Sequence, residues 1–101
     1  MKIIKTKINS KLGQERFTVA MRFDSWQEAS DSKIESWCRN QFGSEWASTP
    51  HWRGHFGTAK YLHGDYSRPY FVGFRDMATL TTALMALGLT YENIQKSLCE
   101  F

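Results

Sequence analysis

The chain has 101 residues, 42% of them apolar and 23% charged, a balance that suits one globular domain over residues 1–101 and excludes a disordered or fibrous chain. Its formal net charge of +3 is weaker than that of most dedicated duplex-DNA binders, so charge alone selects no partner. The longest strongly apolar stretch, residues 77–89, falls short of the ~20 residues a membrane span needs, and no membrane partner is expected.

Residues 2–8 alternate, with Ile4, Thr6 and Ile8 on one side and Lys5 and Lys7 on the other, as in a half-solvated strand. A polar loop over 9–16 leads to a second alternating run, Phe17, Val19, Met21 and Phe23, and the two strands are expected to form a hairpin. Ser25-Trp26-Gln27-Glu28 then has the spacing of a capping box, in which the serine oxygen accepts a backbone N–H and the glutamate reaches back. The helix it opens should bury Trp26, Ala29, Ile34, Trp37, Cys38 and Phe42 and stop at Gly43, with Asp31-Ser32 as a place to break or re-cap it.

Residues 44–57 are the least regular and read as an ordered aromatic loop. Residues 58–63 and 70–75 read as a second hairpin around a turn-rich connection, with Pro69 suited to a strand start. Asp76 is placed to cap a helix carrying Met77, Leu80, Leu84 and Leu87 on one face. Thr90 is placed to cap a last helix with Tyr91, Ile94, Leu98 and Phe101 on one face. The expected architecture is α+β: a four-stranded antiparallel sheet of two hairpins, in the order ββαββαα, with helices packed on one face. The other face then needs solvent-compatible side chains or a partner, and Lys5, Lys7, Arg22 and Phe71 are candidates for it.

Cys38, His51 and His55 have the C-x12-H-x3-H spacing of part of a zinc finger, with Glu35 at the offset of the missing cysteine and His63 nearby. The context differs, because here the cysteine falls on the helix and Pro50 and Gly54 break the histidine segment, so no metal is assigned. Cys38 and Cys99 carry no nucleophile signature, and a cysteine on an apolar helical stripe is core. His63 and Asp65 sit two apart in a glycine turn, where they stabilise the turn. Gly54-x-x-Gly57 lacks the flanking strand and helix of a nucleotide loop, so no cofactor is expected. The absence of a legible catalytic constellation points away from an enzyme. Two distant cysteines without a leading apolar segment fit a reducing, cytoplasmic compartment.

The aromatic content of 15% exceeds what so small a core needs, and between Arg39 and Arg75 rings and cations interleave. The candidate partner-binding residues are Trp46, Trp52, Arg53, Lys60, Tyr61, Tyr66 and Arg68. Such a set can stack bases and neutralise phosphates, or supply anchors and ion pairs to a protein; its alternative use is to fill the core.

The run Tyr70-Phe71-Val72-Gly73-Phe74-Arg75-Asp76, followed by residues 77–88, resembles a strand, acidic cap and helix found in short bacteriophage-encoded accessory proteins. The resemblance implies a context and no catalytic residue. In that context a small protein without an active site is expected to act stoichiometrically on a host protein or nucleoprotein complex in the host cytoplasm, as anti-defence inhibitors do, anti-CRISPR proteins among them. The alternative is a small single-stranded nucleic-acid-binding module of a replication or packaging system. A third reading is a structural protein held in a homo-oligomer; the sequence leaves the oligomeric state open.

Overall fold

The structure, a computed structural model, describes residues 1–58, 60–62 and 65–89, with the backbone alone described for 60–62 and 65–67. Its elements in chain order are β1 (Lys2–Lys5), α1 (Lys11–Gln14), β2 (Val19–Phe23), α2 (Trp26–Ser32), α3 (Ile34–Phe42), β3 (Trp52–Phe56), β4 (Lys60–Leu62), β5 (Asp65–Ser67), β6 (Tyr70–Phe74) and α4 (Met77–Leu87). The fold is α+β, and its main sheet has four antiparallel strands in the order β1-β2-β6-β3.

The sheet differs from the expected pair of hairpins at its third strand. Residues 52–56, read from sequence as loop, pair with β6, whereas the segment expected to do so contributes β4, which pairs with β5 in a separate two-stranded hairpin. Three further departures are local. The polar loop over 9–16 contains α1, capped by Ser10, whose Oγ accepts from the Gly13 N–H at 3.2 Å. The first long helix is cut in two at Lys33, which takes left-handed backbone angles (φ 62°), and Ser32 Oγ accepts from the Ile34 N–H to restart it. Glu28 reaches back to the Asp24 N–H, not to that of Ser25. The last expected helix, from Thr90 onward, lies outside the described residues.

Register fixes two faces, because side chains alternate along a strand. One face carries Ile3, Val19, Met21, Phe23, Trp52, Tyr70, Val72 and Phe74, which pack with Ala29, Ile34, Cys38, Leu80, Ala83 and Leu84 from α2, α3 and α4. Asp76 caps α4 as expected, accepting the Thr79 N–H at 2.7 Å, and Thr81 and Thr82 return their hydroxyls to carbonyls four residues back. These bonds satisfy the hydroxyls locally without strengthening the helix, so the stability of α4 rests on its cap and on the burial of Leu80, Ala83 and Leu84. No helix among the described residues is long and apolar enough to cross a membrane.

The opposite face carries a smaller cluster of Ile4, Ala20, Leu12 and Phe17, with Phe71 packed against it. Leu12 projects from α1 onto Gly73, where a Cβ would stand 3.1 and 3.2 Å from its two methyl carbons and 3.2 Å from Phe17 Cβ. A helix is therefore present on each side of the sheet, not on one side as expected, although the short α1 covers only part of its face.

Trp52 is the largest fully buried side chain, and its indole N–H donates to the Gly43 carbonyl at 2.9 Å, fastening the end of α3 to β3. Trp52→Ala is expected to cost about 3–5 kcal/mol in urea unfolding, from lost burial and the cavity left behind. A loss below about 1 kcal/mol would contradict the packing described here.

Candidate functional site

Four-strand register lines up two adjacent rows across the second face. The first is Ile4, Ala20, Gly73 and Arg53, and the second is Lys2, Arg22, Phe71 and His55. Leu12 and Phe17 lie on the first row. Among the described residues the second row is only half-buried, and its Arg22, Phe71 and His55 form part of the floor of a groove of about 700 Å³. One rim is the 6–12 segment, with Lys7 and Lys11; the other is the backbone of 57–58 with Arg68 and Pro69.

The charge of this groove is one-sided. Lys7, Lys11, Arg22 and Arg68 line it together with His55, and no carboxylate does so among the described residues. Outside it the chain has nine Lys/Arg against ten Asp/Glu, so the whole positive excess of the sequence is accounted for by these four cations. Asp24, four-fifths exposed, pairs with Arg22 Nη1 at 2.8 Å, and Nε and Nη2 of the guanidinium bond no acceptor among the described residues. Arg68 lies over the Phe56 ring at 4.7 Å and donates through Nε to the Gly57 carbonyl at 3.0 Å. Burial, with Lys11 and Arg68 nearby, holds the His55 pKa below its ordinary value, against a smaller opposing pull from Glu15. The imidazole is therefore neutral at pH 7, a donor or acceptor and not a fifth charge.

The residues expected from sequence to bind a partner separate into three groups. Arg68 lies at the groove. Trp52 is 0% exposed, a core residue whose ring presents no surface. Arg53 is largely enclosed: Nη1 bonds both oxygens of Glu15 at 3.1 and 3.0 Å, and Nη2 donates to the Glu45 carbonyl at 2.8 Å. Its Nε is buried without a hydrogen-bond partner among the described residues. Trp46, 72% exposed, lays its ring 4.4 Å from that guanidinium, so its inner face is used and its outer face is open. Lys60, Tyr61 and Tyr66 belong to β4 and β5, where Tyr61 and Tyr66 are direct cross-strand partners; their side chains lie outside the described residues. Of the residues proposed for the outward sheet face, Lys7, Arg22 and Phe71 line the groove, whereas Lys5 stands opposite Val19 in the register of the core-facing set. Lys11 and His55 are groove residues that the sequence reading did not assign to this surface.

Cys38, His51 and His55 do not converge. Cys38 is fully buried on the core side of the sheet, His55 projects from the opposite face, and His51 packs against Phe42 at 5.6 Å. His63 lies outside the described residues. Burial, reinforced by Glu35, pushes the Cys38 thiol up to about 12, far from the thiolate a nucleophile or metal ligand requires.

A second cluster lies at the outer side of β3. Gly54 has no side chain because the Tyr70 hydroxyl occupies the space: a Cβ there would lie 2.0 Å from it and 3.1 Å from Glu35 Oε2. Tyr70 donates to Glu35, and the Gly54 N–H donates to Glu45 Oε2 at 2.8 Å. Burial raises the Glu35 pKa above its ordinary 4.5, and the neighbouring Glu45 charge adds to that, while the Tyr70 hydrogen bond and Arg39 oppose it. Burial also raises the Tyr70 phenol, followed by the Glu35 charge.

No family model matches the chain, and neither the curated proteins nor the solved structures contain a significant match to it. The groove and its charge thus carry the functional argument by themselves.

The Glu35 shift has a measurable consequence. Its folded pKa lies above the unfolded value near 4.5, so ionising it disfavours the fold. The penalty is absent below the unfolded pKa and complete once pH exceeds the folded one. Glu35→Gln keeps an acceptor for the Tyr70 hydroxyl, and should raise the urea midpoint more at pH 7 than at pH 4. An equal or smaller gain at pH 7 would mean that attraction to Arg39 outweighs burial.

Proposed function

We propose that the chain is a non-catalytic binding protein that acts stoichiometrically on a host protein or nucleoprotein complex, in the manner of small phage-encoded inhibitors of host defence, anti-CRISPR proteins included. The observation that carries this reading is the groove on the second face of the sheet. Four cations, the Phe56 and Phe71 rings and no carboxylate among the described residues line a concave surface of about 700 Å³. Burying such a surface against an anionic partner complements its positive charge and covers its rings, which is how electrostatic complementarity selects a partner and speeds encounter.

The ionisable groups most displaced from their ordinary behaviour support a binding role more than a chemical one. Cys38 is a protonated core thiol, Tyr70 is a protonated hydrogen-bond donor, and both belong to the packing that holds α3 to the sheet. Neither lines the groove. A host-cytoplasmic site of action follows from the phage-type reading, and an anionic patch on the target from the groove.

Affinity capture from bacterial lysate is expected to recover a partner in near 1:1 ratio with the wild-type chain. The Lys11→Glu, Arg22→Glu double variant should reduce that recovery at least tenfold while keeping a native circular dichroism spectrum. Recovery of no partner, or undiminished recovery by the double variant, would refute this reading of the groove.

A further inference from the structure

The binding reading leaves open what chemistry occupies the groove, and the arrangement of its lining is more selective than its net charge. Arg22, Phe71 and His55 stand side by side on three neighbouring strands, about 10 Å across at the usual strand spacing, and Lys2 continues the row on β1 beyond the groove lining. The ring is in the interior of the row, with a guanidinium on one side and a neutral imidazole on the other. Lys7 and Lys11 follow one rim, and Arg68 holds the other. Anions are therefore called for along both rims, with a flat apolar group between them.

We propose that this groove binds single-stranded nucleic acid, with a base on the Phe71 ring and backbone phosphates on Arg22, Lys11 and Arg68. The proposal rests on the binding-protein reading above and gives its partner a chemistry.

Of three features, two favour a strand over an acidic peptide and one, the Arg22 fork, accepts either. A nucleic-acid strand alternates a flat, stackable group with a fixed anion at every residue, matching a ring flanked by cations, whereas an acidic peptide supplies the charge without the plane. Among the described residues Arg22 Nε and Nη2 bond no acceptor, so the guanidinium can keep Asp24 and still donate to a phosphate or a carboxylate. Neutral His55 can exchange hydrogen bonds with a base edge or stack on it, and it adds no charge that would hold a carboxylate instead. A duplex is disfavoured on geometric grounds. Its bases are stacked away from any protein ring, and Phe71 lies on the floor of a recess between two rims, within reach only of an unstacked base.

The test is fluorescence anisotropy of a labelled twelve-residue oligo(dT) with the full chain, titrated at several salt concentrations. The wild type is expected to bind at low salt and to weaken steeply as salt rises. Arg22→Gln and Lys11→Gln should each lower the salt slope by about one. Phe71→Leu, which retains an apolar side chain against Pro69, should weaken binding roughly tenfold with the slope unchanged. Thermal melting of each variant separates these effects from loss of fold.

Absence of oligonucleotide binding at low salt would overturn the proposal. So would oligoglutamate of equal charge competing as well as unlabelled oligo(dT), or Phe71→Leu binding like the wild type. The two readings fail separately. If the oligonucleotide does not bind but the groove variants still lose a captured partner, the strand proposal falls and the stoichiometric binder stands. If the oligonucleotide binds as described and capture recovers no groove-dependent partner, the strand proposal stands and the host-complex reading falls.

Discussion

The contact of Leu12 with Gly73 shapes everything on the second face of the sheet. A helix of four residues cannot hold itself together in water, since nucleation costs more than its few hydrogen bonds return. α1 persists because Ser10 caps it and because Leu12 and Phe17 bury themselves over a strand position without a side chain. Even a Cβ at 73 would require the Leu12 methyls and Phe17 to give by a few tenths of an ångström. With α1 in place, one row of the face is closed, the next is left half-buried, and Lys11 is held at the boundary between them.

That arrangement divides the arginines by use. Arg53 and Arg75 each approach the Phe17 ring and bond the α1 segment, Arg53 through the Glu15 carboxylate and Arg75 through the Glu15 carbonyl. Arg75 also donates to the Pro50 carbonyl at 2.7 Å, so one guanidinium joins the end of α1 to the segment before β3. Planar, multiply donating side chains suit such clamps better than lysine would. Arg22 and Arg68 have fewer internal bonds and stand where a ligand could compete for them.

The strands with clean alternation and the longer helices opened by Ser25 and Asp76 were legible in the sequence, because period and cap are local signals. The strand over 52–56 was not, although its pattern has period two: Trp52, Gly54 and Phe56 point one way and Arg53 and His55 the other. Gly54 hides the alternation, since the space belonging to that position is filled by the Tyr70 phenol, sixteen residues later in the chain. The same distance effect misassigned the rings and cations. Trp52 reads like an interface anchor but fills the core, and Arg53 reads like a free cation but is held by Glu15. The groove was foreseen in part through Lys7, Arg22 and Phe71. Lys11 and His55 joined it only through a helix too short to leave a periodic trace and a strand mistaken for a loop.

The hydrogen bond from Gly54 to Glu45 bears on how the chain behaves in a crowd. β3 is the last strand of the main sheet, and a bare outer strand invites another chain to continue the ladder. Here the middle donor of that strand is already taken by a carboxylate, held close by the Arg53 bond to the Glu45 carbonyl and flanked by the Trp46 ring. An incoming strand would have to displace a charged acceptor and then lie against it. Glu45 thus places a charge on the β3 edge, one of the devices that discourage edge-to-edge pairing, independent of whatever its groove has been shaped to hold.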